Sequence, residues 1–183
     1  MKITILGGKN EIGGNKILVE HKTTKLLLDF GMSFSQAGKF FSEFLQPRKC
    51  ASIPDLIELN LLPDLKGLYR NDYLKHMGRK EEKREFDALL ISHAHADHVQ
   101  YLHFLRNDIP SYCTKPTKII LQALEEIGAN TFSDLVTTVE TFQFRINSKG
   151  GLSRVTRRDV EYVKERPCQN VASALPPVTD RTA

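Results

Sequence analysis

A chain of 183 residues with 40% apolar residues is long enough to bury the core of one domain and too short to expect several. Its 26 basic and 22 acidic residues leave a formal charge of +4, which permits an anionic partner but argues against a dense nucleic-acid-binding tail. Cys50, Cys113 and Cys168 are odd in number, widely spaced and without a C-x-x-C pair, so neither a disulfide framework nor a thiolate zinc site is expected.

The apolar start Met1 to Leu6 is broken by Gly7-Gly8-Lys9, which is too short for a secretory segment. No later stretch approaches the ~20 apolar residues of a membrane span. The expectation is a soluble, cytoplasmic protein with no membrane partner.

In chain order, Lys2 to Leu6, Lys16 to Glu20 and Lys25 to Phe30 read as three strands of an antiparallel meander, punctuated by Gly7-Gly8, Gly13-Gly14 and Lys22-Thr23-Thr24. Residues of about 31–85 read as a long, partly helical insertion, rich in Phe and interrupted at Pro54 and Pro63. It ends in a charged run from Lys75 to Arg84 that is expected on the surface.

Phe86 to Ser92 then has the pattern of a buried strand and runs directly into a histidine cluster. Val99, Leu102 and Leu105 at helical spacing predict a helix from Asp97 or His98 to Arg106. A strand over Ile109 to Cys113 and a helix from about Thr117 to Ile127, stopped by Gly128, follow. Beyond Val136, Val139 to Arg145 is expected as a strand and Thr156 to Lys164 as a helix or strand. Residues 166–183 are expected as an irregular or disordered tail. The domain is thus placed at 1–165.

Chemistry concentrates in His93, His95, Asp97 and His98, the pattern H-x-H-x-D-H directly after a buried strand. Neutral imidazole and carboxylate suit zinc, and also iron or manganese. In an extended segment alternate side chains share a face, so His93 and His95 can serve one metal. The turn into the helix sends Asp97 and His98 toward a second. Singly, a histidine such as His21, His76 or His103 is best read as a surface residue or a satisfied core residue. Four polar groups beside a buried strand are another matter, because leaving them without a ligand is expensive.

Ser92-His93-Ala94-His95-Ala96-Asp97-His98 resembles the signature of the metallo-β-lactamase superfamily. Leu27-Leu28-Asp29-Phe30-Gly31 resembles that superfamily's first motif, which implies that Asp29 orients the histidine loop rather than binding metal. Leu6-Gly7-Gly8-Lys9-Asn10-Glu11-Ile12-Gly13-Gly14-Asn15 resembles the start of the ribonuclease J-like and β-CASP RNA-processing enzymes. The resemblance covers roughly residues 1–130.

It implies an α+β fold, the αββα metallo-β-lactamase-type sandwich with a mixed or antiparallel sheet and flanking helices. It also implies a metal-dependent hydrolase with two zinc ions and Asp97 as a catalytic group. The reaction implied is metal-assisted attack of water on phosphodiester bonds, most plausibly of RNA. Lys80, Lys83 and Arg84 are candidate phosphate contacts, although Glu81 and Glu82 interleave with them.

Three departures stand out. Gln100 occupies a position where many relatives carry glycine, residues 31–84 hold no placeable motif, and no histidine follows His103. The superfamily's downstream ligands are therefore not found, and the chain reads as the amino-terminal half of the sandwich. Two other functions stay open: a hydrolase of a small thioester, lactone or phosphate ester, and a catalytically incomplete domain. An exposed sheet face makes a homodimer a further expectation.

Overall fold

The computed structural model describes residues 1–41, 45–48, 52–127, 138–139, 142–156, 164–165 and 168–170. Its first three strands, β1 (Lys2–Gly7), β2 (Lys16–His21) and β3 (Thr24–Leu28), form the expected antiparallel meander, with Leu18 facing Thr4 on one side and Leu27 on the other. Next come the helices α1 (Phe34–Phe40), α2 (Ser52–Glu58) and α3 (Asn71–His76), so the long insertion is partly helical as its composition predicts. Strands β4 (Ala88–Leu90) and β5 (Ser111–Cys113) then extend the sheet in parallel with β3.

Among the described residues the main sheet therefore has six strands in the order β1-β2-β3-β4-β5-β10, the last being Cys168–Asn170, antiparallel on one side and parallel on the other. Strand β10 (Cys168–Asn170) pairs parallel with β5. It falls in the segment expected to be irregular, where Cys168-Gln169-Asn170, directly after Pro167, carries no strand pattern; the rest of 166–183 lies outside the described residues.

Register explains where the core sits. Leu18, Leu27, Leu89 and Ser111 are successive cross-strand partners, so they share one face. All four are buried. The three leucines join one cluster with Ile53 and Leu56 of α2, Tyr73 and Leu74 of α3, and Leu121 of helix α5 (Lys115–Glu126). The opposite face carries Ile3 and Ile5, which are 59% and 58% exposed, beside the half-buried Ile17, Val19, Leu26, Leu28 and Leu90. A mixed sheet with helices on one face and apolar side chains on the other is the α+β layer arrangement of an αββα sandwich.

Helix α5 begins two residues earlier than its apolar spacing indicates, because Thr114 caps the Thr117 amide and Pro116 sits in the first turn, where a missing N–H is harmless. The expected helix from Asp97 to Arg106 is instead a single turn, α4 (Ala96–Val99), followed by a 3-10 turn at Leu102–Phe104. The reason is competition for hydrogen bonds. Tyr101 donates its amide to Phe30 O at 3.0 Å, and Asp97 O accepts instead from Asn15 N at 3.1 Å, so the helical ladder is broken by two loop segments crossing it.

Farther on, the strand expected at Val139 to Arg145 divides into β6 (Thr138–Val139) and β7 (Phe142–Ile146). Phe142 packs edge-on against Tyr73 with ring centroids 4.9 Å apart, which ties this hairpin to α3. Its partner is β8 (Leu152–Thr156), while β9 (Lys164–Glu165) pairs with β6. Most of the element expected over Thr156 to Lys164 lies outside the described residues. No helix among the described residues is long and apolar enough to cross a membrane.

Candidate metal centre

The centre forms where the parallel strands β3 and β4 end side by side. Asp29 leaves β3 in a left-handed conformation, with φ of 56°, and its amide donates to Leu90 O at 2.9 Å. The turn aims the carboxylate across the strand ends. There Oδ1 accepts from Ser92 N at 2.7 Å, and Oδ2 accepts from Ser92 Oγ at 2.7 Å and lies 2.7 Å from His98 Nδ1. Asp29 thus bonds the histidine loop at two points, Ser92 and His98.

Three ligand atoms, one each from His93, Asp97 and His98, lie within 4.8 Å of one another, and all three side chains are half-buried. His95 is exposed and stands outside this group, although its ring meets His93 edge-on with centroids 4.7 Å apart. His93 also stacks against His98, at 3.9 Å between centroids. All four expected ligands are therefore in one loop, but the tight grouping joins His93 with Asp97 and His98 rather than with His95.

The donor set fits a divalent cation. With Nδ1 of His98 held by a carboxylate, the ring proton belongs on Nδ1, and Nε2 keeps its lone pair. That lone pair faces Asp97 Oδ2 at 3.2 Å. Two electron-rich atoms this close need a donated proton or a positive charge beside them; Asn15 Nδ2, 3.1 Å from Nε2, offers the first and a divalent cation would offer the second. Imidazole with carboxylate is a zinc, iron or manganese set.

Sequence reasoning missed the residues that fix the loop from the other side. The glycine-rich turn between β1 and β2 folds over it: Asn15 Nδ2 lies 3.1 Å from His98 Nε2, and Gly31 N donates to Asn15 O at 3.1 Å. Phe30 N and Met32 N donate to His98 O and Ala96 O at 2.8 and 3.2 Å. Glu11 anchors the turn by accepting from Ser33 Oγ, from Ser35 Oγ at 3.1 Å and from Gly8 N at 3.2 Å. Burial pushes the Glu11 carboxyl up, but these hydrogen bonds outweigh it and hold it below its ordinary value. The Gly-rich stretch resembled a family pattern in sequence, yet nothing in its spacing tells which atom meets the loop.

Lys16, at the start of β2, is 2% exposed. Its ammonium donates to Gly14 O at 3.2 Å and lies 5.4 Å from the Tyr101 ring centre. Burial pushes it down to about 8 from the ordinary 10.5, against the pull of Glu11. Between these values the unfolded chain holds a proton that the folded chain has released, so stability rises with pH across that window. Relative to Lys16→Met, the wild-type chain is expected to gain about 3 kcal/mol between about pH 7.5 and pH 10.5 in urea unfolding. A difference that stays flat with pH refutes the buried charge.

The candidate phosphate contacts lie elsewhere. Lys80 and Lys83 are exposed, and Arg84 donates to Asp108 O just ahead of β5. Asp87, between them and β4, bonds Lys25 near the start of β3. Arg84 and Asp87 therefore sit at the amino-terminal ends of the parallel strands, and the histidine loop sits at the carboxyl ends.

Fold and site together define an α+β protein of the αββα kind with a histidine–aspartate cluster able to hold a metal. Among curated proteins the chain is similar to ribonuclease J of Helicobacter pylori, with 30% identity over 116 residues, which is 62% of this chain and 13% of that protein. It is also similar to ribonuclease J of Mycolicibacterium smegmatis, with 32% identity over 120 residues, 64% of this chain and 17% of that protein. A third relative is transcription termination factor FttA of Methanocaldococcus jannaschii, with 26% identity over 129 residues, 69% of this chain and 15% of that protein. The chain thus spans between 13% and 17% of the length of these three relatives. No protein-family model matches it. In fold it is similar to the crystal structure of a protein of unknown function from Enterococcus faecalis, with a TM-score of 0.55 and 24% identity over 85% of this chain and 40% of that one.

Proposed function

We propose that the chain is the metal-binding part of a metallo-β-lactamase superfamily hydrolase of the ribonuclease J-like, β-CASP branch, and that its substrate is RNA. The observation that carries this reading is the convergence of His93, Asp97 and His98 at the strand ends, with His98 oriented by Asp29. Names of the relatives, two ribonucleases and a transcription termination factor, favour RNA as the substrate.

The metal proposed is zinc, with manganese or iron as alternatives of the same donor chemistry. In a two-zinc site His93 and His95 would hold the first ion, and Asp97 and His98 the second. A bound divalent ion would supply a water activated for attack at neutral pH. The chain's own residues do the rest. Asp29 keeps the proton of His98 on Nδ1, Ser92 fixes the loop by donating to Asp29, and Asp97, 20% exposed at its side chain, can orient an attacking water by hydrogen bond. A cytoplasmic setting belongs to the same reading.

The test sets a zinc- or manganese-loaded longer protein, in which this part is joined to the downstream ligands it lacks, against a 5′-labelled RNA and a thioester reporter. RNA cleavage is expected, and His93→Ala or Asp97→Ala should reduce it at least about a hundredfold. Turnover of the thioester with the RNA left intact would overturn the assignment.

A further inference from the structure

We infer that Asn15 is a gate on the metal centre: its carboxamide occupies the lone pair of His98 that a cation must take, and so sets how tightly the site binds metal. The inference rests on the metal-centre reading above and adds a residue that the histidine motif does not contain.

The geometry is specific about the atom. Nδ1 of His98 is committed to Asp29 Oδ2 at 2.7 Å, which leaves Nε2 as the acceptor. Asn15 Nδ2 lies 3.1 Å from that Nε2 and can only donate to it. The amide's oxygen lies on the side of Gly8, where an added β-carbon would stand 2.7 Å from Asn15 Oδ1. The carboxamide therefore lies between the glycine-rich turn and the imidazole, with its nitrogen toward the ring.

Asn15 is not needed to hold His98 in place. The ring is oriented by Asp29, and its backbone carbonyl accepts from Phe30 N at 2.8 Å. What the side chain of Asn15 adds is competition: metal binding must break its hydrogen bond, and a cation arriving at Nε2 displaces a neutral donor. Its main-chain bonds, from Asn15 N to Asp97 O and from Gly31 N to Asn15 O, survive truncation of the side chain.

Removing one such hydrogen bond from the metal-free state should tighten zinc binding about 3- to 10-fold. The experiment is calorimetric titration of zinc into the wild-type chain and Asn15→Ala, with Asn15→Ser as a second variant whose shorter side chain cannot reach the ring. Both variants are expected to bind zinc more tightly, with metal-free melting temperatures lowered by no more than the few degrees that loss of one hydrogen bond implies. In the metal-free protein, the nitrogen-15 shift of His98 Nε2 should move on substitution while that of Nδ1 stays. Equal or weaker zinc binding by both variants overturns the gate and leaves the metal centre standing. A wild-type chain that takes up no zinc overturns both.

Discussion

Gly31→Ala is expected to unseat the histidine loop, lowering stability by about 3–5 kcal/mol and zinc affinity at least about a hundredfold. A β-carbon at this position would stand 1.7 Å from Asp97 O, 2.0 Å from Asp97 C and 2.4 Å from His98 N. These are backbone atoms, so no rotamer change relieves the clash. The two segments are also stitched together on both sides of Gly31, by Phe30 N to His98 O and Met32 N to Ala96 O. Relief means separating the crossing, which breaks bonds of about 0.5–1.5 kcal/mol each and moves Asp97 and His98 apart. Gly38→Ala is the control, since nothing lies within 4 Å of its β-carbon position and it sits in helix α1, where alanine is the better helix former. Urea unfolding and zinc calorimetry on the two variants decide the matter. If Gly31→Ala binds zinc like the wild type, the close crossing is not what holds the centre.

The same crossing shows what the sequence makes legible and what it does not. Alternation and glycine punctuation locate β1, β2 and β3, because a half-buried strand writes its burial every second residue. The pattern H-x-H-x-D-H locates the candidate metal donors, because imidazoles and a carboxylate clustered directly after a buried strand are unusual without a partner. Neither signal reports which backbone groups cross. The helix after His98 is short because Tyr101 N and Asp97 O are spent on Phe30 and Asn15, partners about seventy and eighty residues away. For the same reason the roles of Asn15, Lys16 and Gly31 are invisible in sequence, where a turn asparagine, a strand lysine and a glycine after aspartate look ordinary. Strand β10 is missed for a different reason: three residues paired on one edge carry too little pattern to separate from a loop.

Asp29→Asn should weaken zinc binding about 10- to 100-fold while costing the fold only about 1–3 kcal/mol. The change is nearly isosteric, and asparagine tolerates the left-handed φ of 56° that this turn requires, so no backbone strain is added. What changes is the hydrogen-bond code. Asp29 receives Ser92 N on Oδ1, and Ser92 Oγ and His98 Nδ1 on Oδ2. An asparagine that keeps its oxygen toward Ser92 N turns its NH2 toward His98, donor against donor. His98 then accepts through Nδ1 and moves its proton to Nε2, the atom facing Asp97 and the cation. The ligand is still present but protonated where it must coordinate, the same logic by which an aspartate fixes the tautomer of a catalytic histidine. Nitrogen-15 spectra of the variant should therefore show the His98 proton on Nε2, with a melting temperature lowered only by the several degrees that about 1–3 kcal/mol implies. A proton that remains on Nδ1, together with undiminished zinc affinity, would mean that Asp29 does not set the state of His98.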